Sequence, residues 1–142
     1  MITTLFQKLT LGAAGLTALG IGLGIAFAPH GFYASYGITL GSDPTLLSEL
    51  RAPGANLAAL GAVIFTGALR PAMARVSAAL GALLFLAFAF GRLVGMVLDG
   101  WPGEGILTAL VIEVVAGMLC LWVLRTQERA PSPLAGKALQ QG

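Results

Sequence analysis

Charge is what this sequence has least of. Only 10% of its 142 residues are Asp, Glu, Lys or Arg, against 57% hydrophobic, a balance too apolar for a water-soluble domain of this size. Histidine and cysteine occur once each, as His30 and Cys120. A single thiol excludes an internal disulfide, and the pair leaves no ligand set for zinc or haem, so neither a metal nor a cofactor is expected. The eight basic residues are scattered near the ends of apolar runs. They form no basic stripe, which argues against a nucleic-acid partner despite a net charge of +2. No serine sits in a nucleophile elbow, and the glycines of Gly20-Ile-Gly22-Leu-Gly24 follow no strand, so they are no dinucleotide fingerprint.

What is present is a set of long apolar runs parted by short polar breaks. Mean hydropathy is +0.89, and the runs are of membrane-crossing length. They predict an all-α, integral membrane four-helix bundle within residues 1–126, with spans at about 9–28, 50–69, 72–98 and 106–124, and a flexible cytoplasmic tail over 127–142. Ala26-Phe27-Ala28 resembles a signal-peptidase site. The length of the run before it and the proline at position 29 favour a retained first span. Phe32, Tyr33 and Tyr36 suit a headgroup-level segment between the first two spans, with His30 an interfacial polar residue. Asp43-Pro44 is a helix start, with Asp as cap and Pro at the first helical position. Pro53 removes the donor to the Glu49 carbonyl and predicts a kink or an unsatisfied acceptor at the entrance to span two. Pro71 can open span three, 99–105 reads as a turn, and Arg125 stops span four.

Basic residues are unevenly shared between the two sides. Lys8, Arg70, Arg75, Arg125, Arg129 and Lys137 fall on one, and Arg51 is the terminal basic residue on the other, among Asp43, Glu49, Asp99 and Glu104. The positive-inside rule then puts both termini in the cytoplasm.

Arg92 and Glu113 are the charges set deepest in apolar sequence. Counting from the outer ends of spans three and four, each lies roughly 9 to 10 Å deep at ~1.5 Å per residue, which makes them candidates for an ion pair. Asn56 lies at similar depth, with Glu49 on its face, while Arg51 and Asp99 complete a rim. Glu49, Arg51, Asn56, Arg92, Asp99 and Glu113 are thus expected in one outer-leaflet layer, since intramembrane ionisable groups face the bundle interior and pair. Two arginines against three acids leave one acid over. The layer either clasps the helices or, with room left by Pro53, Gly54, Gly91 and Gly95, receives the polar head of an amphiphile. Gly20-xxx-Gly24 and Gly91-xxx-Gly95 are candidate close-packing sites for helices. Met96 and Met118, with Phe85, Phe88 and Phe90, read as packing residues.

The sequence Glu49-Leu-Arg51-Ala52 at a span entrance, Gly91-Arg92 late in the third span, Asp99-Gly100 after it and Glu113 in the fourth resembles the small bacterial four-helix membrane proteins grouped as DUF4345, a domain of unknown function. The likeness runs from about Leu9 to Leu124, although Pro53-Gly54-Ala55-Asn56 departs from an expected aromatic-glycine-glycine. It implies the fold and a membrane location and supplies no activity. A more distant similarity of layout to DoxX-like proteins implies an accessory subunit of a membrane redox complex.

The leading expectation is a non-enzymatic protein whose arginines, Arg51 and Arg92, meet an anionic head while Glu49, Asp99 and Glu113 orient them, with membrane lipid as partner. The alternatives are an oligomeric proton-coupled transporter or channel subunit using Glu113, assembled as a homo-oligomer or with a membrane-protein partner, and a small enzyme acting on a lipid through Glu113 and Asp99.

Overall fold

A computed structural model describes residues 4–128, and the remainder of the expected tail, with Arg129 and Lys137, lies outside them. The described chain is helical: α1 (Leu5–Phe27), α2 (Pro29–Ala34), α3 (Pro44–Leu69), a 3₁₀ turn at Pro71–Met73, α4 (Ala74–Asp99) and α5 (Glu104–Glu128). Four of these helices are long and apolar enough to cross a membrane. Between 22% and 33% of their spanning windows is buried within the bundle. The outward faces remain apolar, with Leu16, Leu23, Leu83, Phe90, Val111 and Trp122 exposed, as a lipid solvent requires and water would penalise.

The local signals that start and stop these helices are chemical. The Thr4 side chain and Gln7 make a reciprocal capping box, so α1 begins four residues before the apolar run. Asp43 accepts from the Thr45 and Leu46 amides and Pro44 takes the first helical position, so α3 also starts earlier, as one continuous helix that passes through Pro53. The helix start at Asp43-Pro44 and span two therefore belong to one element. Gly100, at φ +102°, releases the chain from α4, a conformation that costs a side chain more than it costs glycine. Glu104 in the first turn of α5 and Arg125 in its last complement the helix dipole, and the helix runs on past Arg125 to Glu128.

The four long helices run up and down and pack most extensively as two antiparallel pairs, α1 with α3 and α4 with α5, joined mainly through α3 and α4. Glycine decides the first pair. A Cβ built on Gly15 would stand 2.5 Å from the Phe65 amide nitrogen, and one on Gly54 2.7 Å from Ile25 Cγ2. A Cβ on Gly22 would overlap the Ala58 amide, and one on Gly61 the Leu19 amide. Gly15 and Gly22, and Gly54 and Gly61, are spaced by seven, the repeat that keeps one seam facing a partner in antiparallel packing. In the second pair Gly81 sits under Cys120 and Gly117 under Leu86.

This corrects the expected packing glycines. Within the chain Gly20 and Gly91 face open space, a Cβ on Gly24 would meet only Phe32, 3.3 Å away, and one on Gly95 only Asp99 of its own helix. The tell was the heptad spacing, and the four-residue motif misled because its glycines point away from the α1–α3 seam. Gly54 likewise makes no room for a ligand, since it is buried against Ile25.

Leu11, Ala14, Ala18, Leu57, Ile64, Ala78, Ala82, Phe85, Cys120 and Val123 form the core. It closes the bundle at the end where α1 begins and α5 finishes. Ser77 is fully buried there, and its hydroxyl donates to the Val63 carbonyl at 3.0 Å, which ties α4 to α3 and satisfies the group.

Gly22→Ala is expected to cost at least about 1 to 3 kcal/mol by overpacking a backbone contact. Gly20→Ala, on the open face, should be neutral or stabilising by about 0.5 to 1 kcal/mol. Thermal unfolding of the two variants in one detergent measures the difference, and equal losses would contradict the heptad seam.

Candidate functional site

At the other end of the bundle the two helix pairs part. The seam between α1 on one side and α4 with α5 on the other holds a half-open cavity of about 660 Å³, within the usual size of small-molecule sites. Its walls are mostly apolar: Ile21 and Ile25 from α1, Leu84 and Phe88 from α4, Ile106 and Ile112 from α5.

Phe32, Tyr33, Tyr36 and Ile38, from α2 and the residues after it, also line the cavity. Phe32 meets Tyr33 edge-on at 5.4 Å between centroids and Tyr36 at 5.5 Å, a packed aromatic unit. Gly37, at φ +75°, lets the chain reverse, and the Ile38 amide returns to the Tyr33 carbonyl at 3.1 Å. The His30 Nε2–H donates to the Gly41 carbonyl at 3.1 Å, so this histidine pins the connection. Tyr36 closes on α5 at Gly105, where a Cβ would stand 3.1 Å from its ring.

One charged element stands in this lining. Arg92 Nε donates to both carboxylate oxygens of Glu113, at 2.9 Å to Oε1 and 2.8 Å to Oε2. The register of the α4–α5 hairpin brings them together, as it brings Gly81 to Cys120 and Leu86 to Gly117. Both lie on buried stripes: Arg92 follows Phe85 by seven residues and Glu113 precedes Cys120 by seven. The side chains are 25% and 11% exposed. Among the described residues the Arg92 η nitrogens make no hydrogen bond, so the outer edge of the guanidinium fork is unused by the protein.

The other four residues of the expected layer are not gathered here. Arg51 Nη1 donates to the Ala26 carbonyl, placing a cation on the last turn of α1, where orphan carbonyls and the helix dipole receive it. Glu49 and Asn56 are exposed, because the glycine seam of α3 turns toward α1 and leaves their face outward. Asp99 is exposed at the end of α4. Among the described residues Glu49, Asn56 and Asp99 make no side-chain hydrogen bond or ion pair, and none of the three lines the cavity. The counting of two arginines against three acids therefore reduces to one neutral pair. Of the glycines expected to leave room, Gly91 lines the cavity, as does Phe88, while Phe85 serves both core and cavity.

Sequence reasoning missed the cavity's walls on α1 and its cover on α2. The signal was present in part, since Phe32, Tyr33 and Tyr36 cluster in sequence, but only packing aims them at α5. Among the described residues no group of His, Cys, Asp and Glu could hold a metal ion.

Fold and site together define the class: a multi-pass, four-helix membrane protein with the Arg92–Glu113 ion pair inside the bundle and a cavity beside it. The chain belongs to the DUF4345 family, a domain of unknown function, whose profile matches residues 6–124. No curated protein and no solved structure matches it. The DoxX-like layout rests on the sequence resemblance alone.

Truncating one member of the pair leaves the other charge uncompensated, at about 3 to 5 kcal/mol for a buried pair and toward the lower figure here because Arg92 keeps some exposure. Arg92→Leu and Glu113→Leu should each lower thermal stability in detergent, and the double variant should recover most of the loss. Additive losses in this cycle would show that the pair is not coupled.

Proposed function

We propose that this protein binds a lipid-like amphiphile in the cavity between α1 and the α4–α5 pair, with the polar head at Arg92 and the apolar chain along the α1 and α5 walls, and that it catalyses no reaction. The observation that carries this reading is an apolar cavity with a single charged element whose guanidinium has donors to spare. Few convergent polar groups in a mostly apolar pocket is the general form of a small-molecule site. Arg51, occupied at the end of α1, takes no part. A role as enzyme would need Asp99 beside Glu113, and proton exchange would need a freer Glu113. An acid held through both oxygens by a guanidinium suits neither.

We further place the chain in a bacterial inner membrane with both termini cytoplasmic and the cavity in the outer leaflet. The positive-inside count supports this. The single native thiol, Cys120, is buried, so cysteines introduced at Gly41 and Ala72 report topology. A membrane-impermeant maleimide applied to intact spheroplasts should label the first and spare the second, and the reverse pattern would invert the protein.

Native mass spectrometry from a mild detergent tests the binding. The expected spectrum carries an added mass in the lipid range that Arg92→Ala loses. A wild-type protein that flies bare after reconstitution with total membrane lipid would leave the ion pair as a structural clasp.

A further inference from the structure

We infer that the cavity selects a single-chain amphiphile with an uncharged, hydrogen-bond-accepting head, an ester or ketone carbonyl, over a fatty-acid anion or a two-chain phospholipid. This rests on the cavity being an amphiphile site and adds the chemistry of the occupant. Three observations carry it.

The first is charge. Glu113 holds Arg92 at Nε through both oxygens, so the local charge is balanced before any ligand arrives. Because Glu113 already neutralises Arg92, an anionic head on the η nitrogens would leave the site with a net negative charge in a medium that solvates charge poorly. The second cation that could offset this, Arg51, is committed to the Ala26 carbonyl and does not line the cavity. A neutral carbonyl leaves no such uncompensated charge.

The second is polarity of the donors. The η groups of Arg92 can only donate, and a guanidinium offers them as a planar fork. The Thr108 hydroxyl, also in the lining, is turned back to the Glu104 carbonyl at 3.0 Å. Thr17, Tyr33 and Tyr36 also line the cavity, and their hydroxyls can donate or accept. The group that meets Arg92 itself must therefore be an acceptor, which separates an ester or ketone from a bare hydrocarbon.

The third is size. At roughly 30 Å³ per small group, a water molecule's share of liquid volume, a cavity of about 660 Å³ holds about twenty heavy atoms. That is one chain with a compact head. A two-chain phospholipid is more than twice as large, so in this half-open cavity its second chain would have to stay outside.

A matched series of sixteen-carbon probes tests this: methyl palmitate, palmitate at alkaline pH and hexadecane, each competed against radiolabelled methyl palmitate on the wild-type protein in detergent, with dioleoylphosphatidylglycerol as the two-chain competitor. Methyl palmitate should bind saturably, with palmitate and hexadecane about tenfold weaker or worse, a difference of about 1.4 kcal/mol, and with no displacement by the phospholipid. Arg92→Lys gives Glu113 a point charge in place of a fork and should abolish the preference for the ester over hexadecane while hexadecane still binds. Ala109→Trp, which fills the cavity, should block all three probes.

Palmitate binding as tightly as the ester, hexadecane doing so, or displacement by the phospholipid would overturn the inference and leave the amphiphile site standing. Failure of all three probes to bind, or binding that a folded Ala109→Trp variant leaves unchanged, would remove the site itself.

Discussion

The contact on which the rest of the structure depends is the backbone-to-backbone approach of α1 and α3. Within a membrane two apolar helices gain little from leaving lipid, so close packing and satisfied polar groups must hold them together. Gly15, Gly22, Gly54 and Gly61 let the two backbones come within a distance that any side chain would forbid. Because α1 is drawn so firmly to α3, its opposite side meets α4 and α5 only lightly. The bundle is therefore two tight pairs with a seam between them, sealed by the core at one end and open at the other.

The charges follow from that arrangement. Rotation of α3 to present its glycines to α1 carries Glu49 and Asn56 outward and brings Arg51 against the end of α1. Arg92 and Glu113 lie on the stripes by which α4 and α5 bury their core residues, and each is the other's partner. A neutral pair satisfies the demand that ionisable groups in lipid be compensated, and it does so without using the whole guanidinium. Nε alone joins the two helices, and Arg92 also lines the space between the pairs.

The cover over that space is built from short-range features. Phe32, Tyr33 and Tyr36 pack on each other, Gly37 reverses the chain, and His30 fastens it to Gly41. This segment thereby walls one side of the apolar cavity. Membership of a family of unknown function supplies no ligand for that cavity.

Hydrophobic run length determined the four spans, because a helix that crosses lipid must be apolar over its full length whatever its neighbours do. Asp43-Pro44 and the glycine-rich turn after Asp99 were legible for the same reason, since caps and turns act within a few residues. The proximity of Arg92 to Glu113 was legible from depth counted along a hairpin, where the short connection ties one helix to the next. Rotation was not legible. Whether Asn56 faces in or out, whether Gly20 or Gly22 meets a neighbour, and whether Arg51 joins an ion pair or a helix end depend on which face each helix turns to the others. In helices apolar on every side the sequence marks no face by polarity, so steric fit between distant residues made that choice, and only the tertiary structure shows it.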